Sequence, residues 1–136
     1  GNLVMRASVL FEKAFGKTTS LEIPEESPEH IQKADQEVKN AINNLAFHKG
    51  LDSIWSVIRK ANVVLTEHKP WEDLDSEQNK QLIANIIIDL HHVGNLLASF
   101  LPDTAQKIRE QIVIKTKDNR ATIEVQKGEP LFPRLT

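Results

Sequence analysis

An asparagine and an arginine four residues apart, Asn2 and Arg6, are the first side chains in this sequence whose spacing can do chemistry. On a helix that spacing puts both on one face. A carboxamide offers a donor and an acceptor, and a guanidinium offers a planar fork of donors. Together they can read the edge of a base, with the arginine suited to the acceptors of a cytosine. On spacing alone the commoner explanation of such a pair is an ordinary solvated helix face, and both readings stand at this point. The second group is Pro70-Trp71, flanked by Lys69 and Glu72. Proline fixes its own φ and stiffens the approach to the tryptophan. An indole on a stiff loop is a platform for stacking a base, and it is also a natural lid for the end of a helical bundle.

Other candidates carry a structural reading. His92-Val93-Gly94-Asn95 looks like a variant of the His-x-Gly-His signature of class I aminoacyl-tRNA synthetases. That signature needs a strand turning into a helix at the ATP phosphates, whereas Val93 here lies on the apolar stripe of a long helix. Gly94 is expected to admit a close neighbouring helix. Asp89 and His92 share a helix face, and His91 lies between them. No second ligand cluster accompanies them, with His30, His48 and His68 scattered, so the expectation is a half-buried hydrogen-bonded pair and no metal. Glu25-Glu26 reads as a solvated acidic turn. No nucleophile elbow, phosphate loop or carboxylate pair is recognisable, so no catalytic residue is assigned.

The chain has 136 residues, the size of one compact domain. Cysteine is absent, which excludes a disulfide scaffold, a zinc finger and a thiol nucleophile. A net charge of −2 excludes a polyanion binder of the histone kind, so any nucleic-acid contact must be a local site. No apolar run approaches the ~20 residues that span a bilayer, and no membrane role is expected. The opening Gly1-Asn2-Leu3 already carries a helical apolar pattern and the sole methionine is Met5, so the expectation is a segment of a longer protein entered partway along a helix.

Helical periodicity dominates the rest. A first helix, about Asn2 to Phe15, ends at Gly16, and a polar loop covers Lys17 to Ser27. A second starts at Ser27-Pro28-Glu29, with Ile31, Ala34, Val38, Ala41, Ile42 and Leu45 on its apolar face. After a turn around Phe47 to Gly50, a third carries Leu51, Ile54, Trp55, Ile58, Ala61 and Leu65 and stops before Pro70. Trp55 is assigned to the core. Asp75, with Gln78 as its capping-box partner, starts a fourth helix running to Phe100. A short fifth spans Pro102 to Ile112. Ala121 to Val125 suits a short strand, and Leu131 and Phe132 in the proline-rich tail are expected to dock on the bundle. The expected fold is all-α, an antiparallel bundle of about five helices with a short irregular or β-like C-terminal tail over residues 113–136.

Several runs, in order, resemble the methionyl-tRNA synthetases. They are Gly1-Asn2-Leu3-Val4-Met5-Arg6, Ala46-Phe47-His48-Lys49-Gly50-Leu51-Asp52-Ser53-Ile54-Trp55, Ile58-Arg59-Lys60-Ala61-Asn62, Pro70-Trp71, Phe100-Leu101-Pro102-Asp103-Thr104-Ala105 and Gly128-Glu129-Pro130-Leu131-Phe132-Pro133-Arg134. The resemblance covers nearly all of residues 1–136. It implies the helical anticodon-binding domain that follows a catalytic nucleotide-binding fold. It also implies recognition of the CAU anticodon through Asn2, Arg6, Pro70 and Trp71. The implied partners are the anticodon stem-loop of methionine tRNA and the catalytic domain of the same parent. ATP with Mg belongs to that parent and no cofactor to this segment, in the cytoplasm. The sequence departs from the family at Met5, often Asn there, and across Lys115–Gln126, where a frequent tryptophan is missing. The alternatives are a helical protein-interaction module without an RNA role, and the equivalent domain of another class I synthetase.

Overall fold

The computed structural model describes residues 3–16, 18–22, 29–117 and 120–125. Among these residues lie five α-helices: α1 (Leu3–Phe15), α2 (Glu29–Asn43), α3 (Phe47–His68), α4 (Glu77–Leu97) and α5 (Pro102–Gln111). They also contain three strands, β1 (Thr18–Glu22), β2 (Ile112–Lys117) and β3 (Arg120–Val125), and one 3₁₀ turn at Pro70–Glu72. No helix among the described residues is long and apolar enough to cross a membrane.

The expected bundle is present, and α4 is its hub, packing against α1, α3 and α5 and more lightly against α2. The reason lies in its composition. Ile83, Ile86, Ile87, Leu90, Val93 and Leu97 recur at helical spacing and are buried to 4% exposure or less. Phe11 of α1, Ile54 and Leu65 of α3 and Ile108 of α5 meet them in one continuous core. Gly94 makes the α4–α5 contact possible. A Cβ built there would lie 2.9 Å from the Ile108 side chain, inside van der Waals contact. Gly16 closes α1 with φ +81° and donates its N–H to the Glu12 carbonyl at 2.8 Å.

The β-like segment expected after the bundle is a pair of strands, and a third joins them. The sheet is antiparallel in the order β1-β3-β2. Opposed residues of an antiparallel pair share a face. The pairs Ile112–Val125 and Ile114–Ile123 therefore turn one apolar surface onto the bundle, where Ile112, Ile123 and Val125 are buried. Two expectations need correction. The stretch read as a polar loop contains β1, and the fifth helix stops one residue early because Ile112-Val113-Ile114 is β-branched and enters β2. Leu131 and Phe132 lie outside the described residues.

Four further details differ from the sequence reading. The α4 cap is Ser76 rather than Asp75, its hydroxyl accepting from the Asn79 N–H at 3.4 Å. Trp55 is half-buried and outside the core cluster. The buried line of α3 is Ile54, Val57, Ala61 and Leu65, and Trp55 sits about 100° round the helix from Ile54. Ile42 and Ile58 pack partly buried at the edge of the core. Leu45 leaves the α2 stripe altogether and is 77% exposed.

Leu45 ends α2 in a left-handed conformation, φ 55°. Ala46 donates to the Ala41 carbonyl at 2.7 Å and Leu45 to that of Ile42 at 3.1 Å, the two bonds of a Schellman motif. The left-handed position of that motif favours glycine, because a Cβ there crowds the following carbonyl. Leu45→Gly removes this crowding and little packing. It is expected to raise the unfolding free energy by about 0.5–1 kcal/mol, read as a higher midpoint in urea with an unchanged slope.

Candidate nucleic-acid interface

α3 ends at His68, and Lys69 adopts φ 46° while donating its N–H to the Leu65 carbonyl at 3.2 Å. A residue before proline is pushed out of the right-handed helical region, and the left-handed turn redirects the chain sharply. Pro70 is thereby buried beneath the turn. Trp71 is left on the outside, 42% exposed. Glu72 and Asp73 close the turn by donating to the Lys69 and Pro70 carbonyls. The indole is thus carried on a stiff, hydrogen-bonded pedestal rather than a free loop.

α1 brings Arg6 to the same place. Its inner face is held by Leu3, Ala7, Leu10 and Phe11, all buried, so Arg6 must point outward. The guanidinium carbon lies 6.0 Å from the centroid of the Trp71 ring, within cation–π range. Arg6 Nη1 also donates to Asn62 Oδ1 on α3 at 3.4 Å. Beside them opens a shallow, largely apolar pocket of about 360 Å³ lined by Arg6, Val9, Leu10 and Trp71. A planar ring can rest against the indole there while its polar edge meets the guanidinium.

Of the four residues singled out for anticodon contact, the fold brings Arg6 and Trp71 together across 65 positions of sequence and buries Pro70 as their support. Asn2 lies outside the described residues. Asn62 joins the group although sequence reasoning gave it no role. Its signal is an exposed carboxamide on the outer face of α3, which becomes meaningful only when α1 is seen beside it.

The histidine cluster has a different character. Asp89 pairs with His30 of α2, Nε2 to Oδ2 2.9 Å, and not with a group on its own helix. Among the described residues no group of His, Cys, Asp or Glu is arranged to hold a metal. Val93 and Gly94 are buried, and they serve helix packing. Burial raises the Asp89 carboxyl above the ordinary carboxylate value, opposed by its bond to His30 and by the nearby imidazoles. Burial lowers both His91 and His92. The charge of His92 and that of Arg109 add to the effect at His91, while a backbone hydrogen bond to Ile112 opposes it; at His92, Asp89 opposes and His30 adds.

The direction of the pH effect follows. For an imidazole held below its ordinary value of 6.5, the unfolded chain takes up the proton first. Stability is then complete above that value and is lost as pH falls toward the folded-state values. Asp89 works oppositely in a more acid window, where the folded state takes up the proton first. The thermal midpoint should therefore fall between pH 7.5 and pH 5. Replacing both imidazoles, H91Q with H92Q, should flatten that slope.

No family model matches the chain. The methionine–tRNA ligase of Clostridium acetobutylicum is 30% identical to it, over 99% of this chain and 24% of that protein. The methionine–tRNA ligase of Caldanaerobacter subterraneus is 29% identical with the same coverage. The free-state methionyl-tRNA synthetase of Mycobacterium tuberculosis shares the fold across the whole chain and 32% of its own length, with a TM-score of 0.74 at 20% identity. The complex of that synthetase with methionyl-adenylate gives 0.67 at 20% identity, covering 98% of this chain and 30% of its own length. The chain spans about a quarter of the length of the curated relatives it matches. In sequence and in fold, over nearly its whole length, it is homologous to a helical segment in the C-terminal part of the methionine–tRNA ligases.

Proposed function

We propose that this chain recognises the CAU anticodon of methionine tRNA on behalf of a ligase that joins methionine to that tRNA with ATP and Mg. The observation that carries the reading is Trp71, 42% exposed on a rigid turn, with the Arg6 guanidinium beside its ring and an open apolar pocket between them. A lid over the bundle end would be expected to bury its indole. In this reading Trp71 stacks a base, Pro70 holds the indole in place, and Arg6 and Asn2 read a base edge. The partners are the anticodon stem-loop and the catalytic domain of the same parent, and the setting is the cytoplasm. No catalytic role is assigned to these residues.

Cytosine offers O2 and N3 as adjacent acceptors, matching two parallel N–H donors of a guanidinium. Uracil replaces the N3 acceptor by an N–H, which faces the same donors unfavourably. The test is binding of the chain to methionine tRNA carrying CAU against the same tRNA carrying UAU. Tighter binding to CAU supports the reading, and equal binding overturns it. Arg6→Lys keeps the charge and loses the fork. It should reduce the CAU preference about tenfold while leaving the salt dependence nearly unchanged. A uniform loss on both tRNAs, with a shallower salt slope, would place Arg6 on a phosphate instead.

A further inference from the structure

Arg6 is exposed, and an exposed arginine samples many rotamers. A base-reading guanidinium must present one donor edge in one direction. Among the described residues, two contacts restrict Arg6. The guanidinium carbon sits over the Trp71 ring, 6.0 Å from its centroid, and Asn62 Oδ1 takes a hydrogen from Nη1 at 3.4 Å. A contact over a ring limits tilt but leaves rotation in the plane of the guanidinium free. A directional acceptor at one nitrogen removes that rotation and leaves the Nη2 and Nε donors to face elsewhere.

Asn62 is well placed to serve as that acceptor. It sits one residue after Ala61, which is buried against the core, inside the C-terminal half of the 22-residue helix α3 and more than a turn before its end. Its backbone is therefore fixed independently of the turn that carries Trp71. Its backbone carbonyl accepts a further bond from the Thr66 hydroxyl at 2.9 Å. α1 and α3 each supply one member of the pair and both pack on α4, so the placement of two helices on a shared third is translated into the orientation of one guanidinium.

We infer that Asn62 is a specificity-determining positioning residue: its Oδ1 locks the in-plane orientation of the Arg6 guanidinium so that the free donor edge selects cytosine over uracil at the first anticodon position. This rests on the anticodon reading above. Asn62 acts through Arg6, so removing it should weaken the cognate CAU tRNA and leave binding to UAU largely unchanged.

The test measures binding of the chain and its variants to tRNA carrying CAU and UAU. Asn62→Ala should lower the CAU:UAU affinity ratio about five- to tenfold, mostly by weakening CAU, with the thermal midpoint unchanged. Asn62→Asp keeps an acceptor oxygen in the same place. It should retain the ratio even where its added charge weakens both tRNAs alike. With Arg6→Lys already present, Asn62→Ala should have no further effect on the ratio. An unchanged ratio in Asn62→Ala, while the parent chain prefers CAU, overturns this inference and leaves the anticodon reading standing. No preference in the parent chain itself overturns the anticodon reading. A loss of ratio in Asn62→Ala that Asn62→Asp fails to retain assigns Asn62 a direct base contact through its amide hydrogens, and also overturns the positioning role.

Discussion

Trp71→Ala should weaken binding to CAU-bearing tRNA by about 1–3 kcal/mol, roughly 5- to 150-fold, while moving the thermal midpoint by no more than a few degrees. Both halves follow from the same geometry. The indole is 42% exposed, so its removal opens little of the core, and the buried Pro70 beneath it keeps the turn in place. Among the described residues lining the pocket, with Arg6, Val9 and Leu10, it offers the one aromatic face. Base–aromatic stacking is sequence-tolerant, so the loss should be similar for CAU and UAU. Arg6→Lys, in contrast, should act on their ratio. A large fall in stability with a proportional loss of binding would make Trp71 a structural lid.

Phe11→Ala should cost about 3–5 kcal/mol of stability, the usual range for truncating a buried aromatic. Phe11 is fully buried, and its ring packs 5.0 Å from that of Phe15 on the next turn. Little in the surrounding helices can collapse into the space, because α4, on which α1 packs, is already filled along its inner face by buried Ile, Leu and Val side chains. For a domain stabilised by about 5–15 kcal/mol, that is a large fraction of the total. The measurement is urea unfolding by circular dichroism, with a lower midpoint and an unchanged slope as the expected result. Because α1 carries both Phe11 and Arg6, the variant should also weaken CAU preference when assayed near its own melting temperature.

What the sequence determined on its own is mostly local. The apolar faces of α2 and α4 recur every three or four residues, Gly16 marks the end of α1, and Pro70 stops α3. Each is set within a few turns of chain, since helical hydrogen bonds and caps involve near neighbours. Gly94 was legible for the same reason, as a small residue on an otherwise bulky apolar stripe. The ordered motifs likewise pointed to the methionyl-tRNA synthetases without any knowledge of packing.

What only the tertiary structure decided depends on residues far apart. β1 has one apolar residue in five, and nothing local marks it as a strand. It exists because β3, about a hundred residues later, presents a free edge to pair with. Trp55 and Leu45 both fit a helical stripe by spacing, yet the width of the buried face and the Schellman turn put one at the margin and the other in solvent. His30 became the partner of Asp89 because α2 passes α4 there. Arg6, Asn62 and Trp71 came together in the same way. Spacing can say which face of a helix a side chain occupies, but only the packing of α1 against the rest of the bundle decides what that face meets.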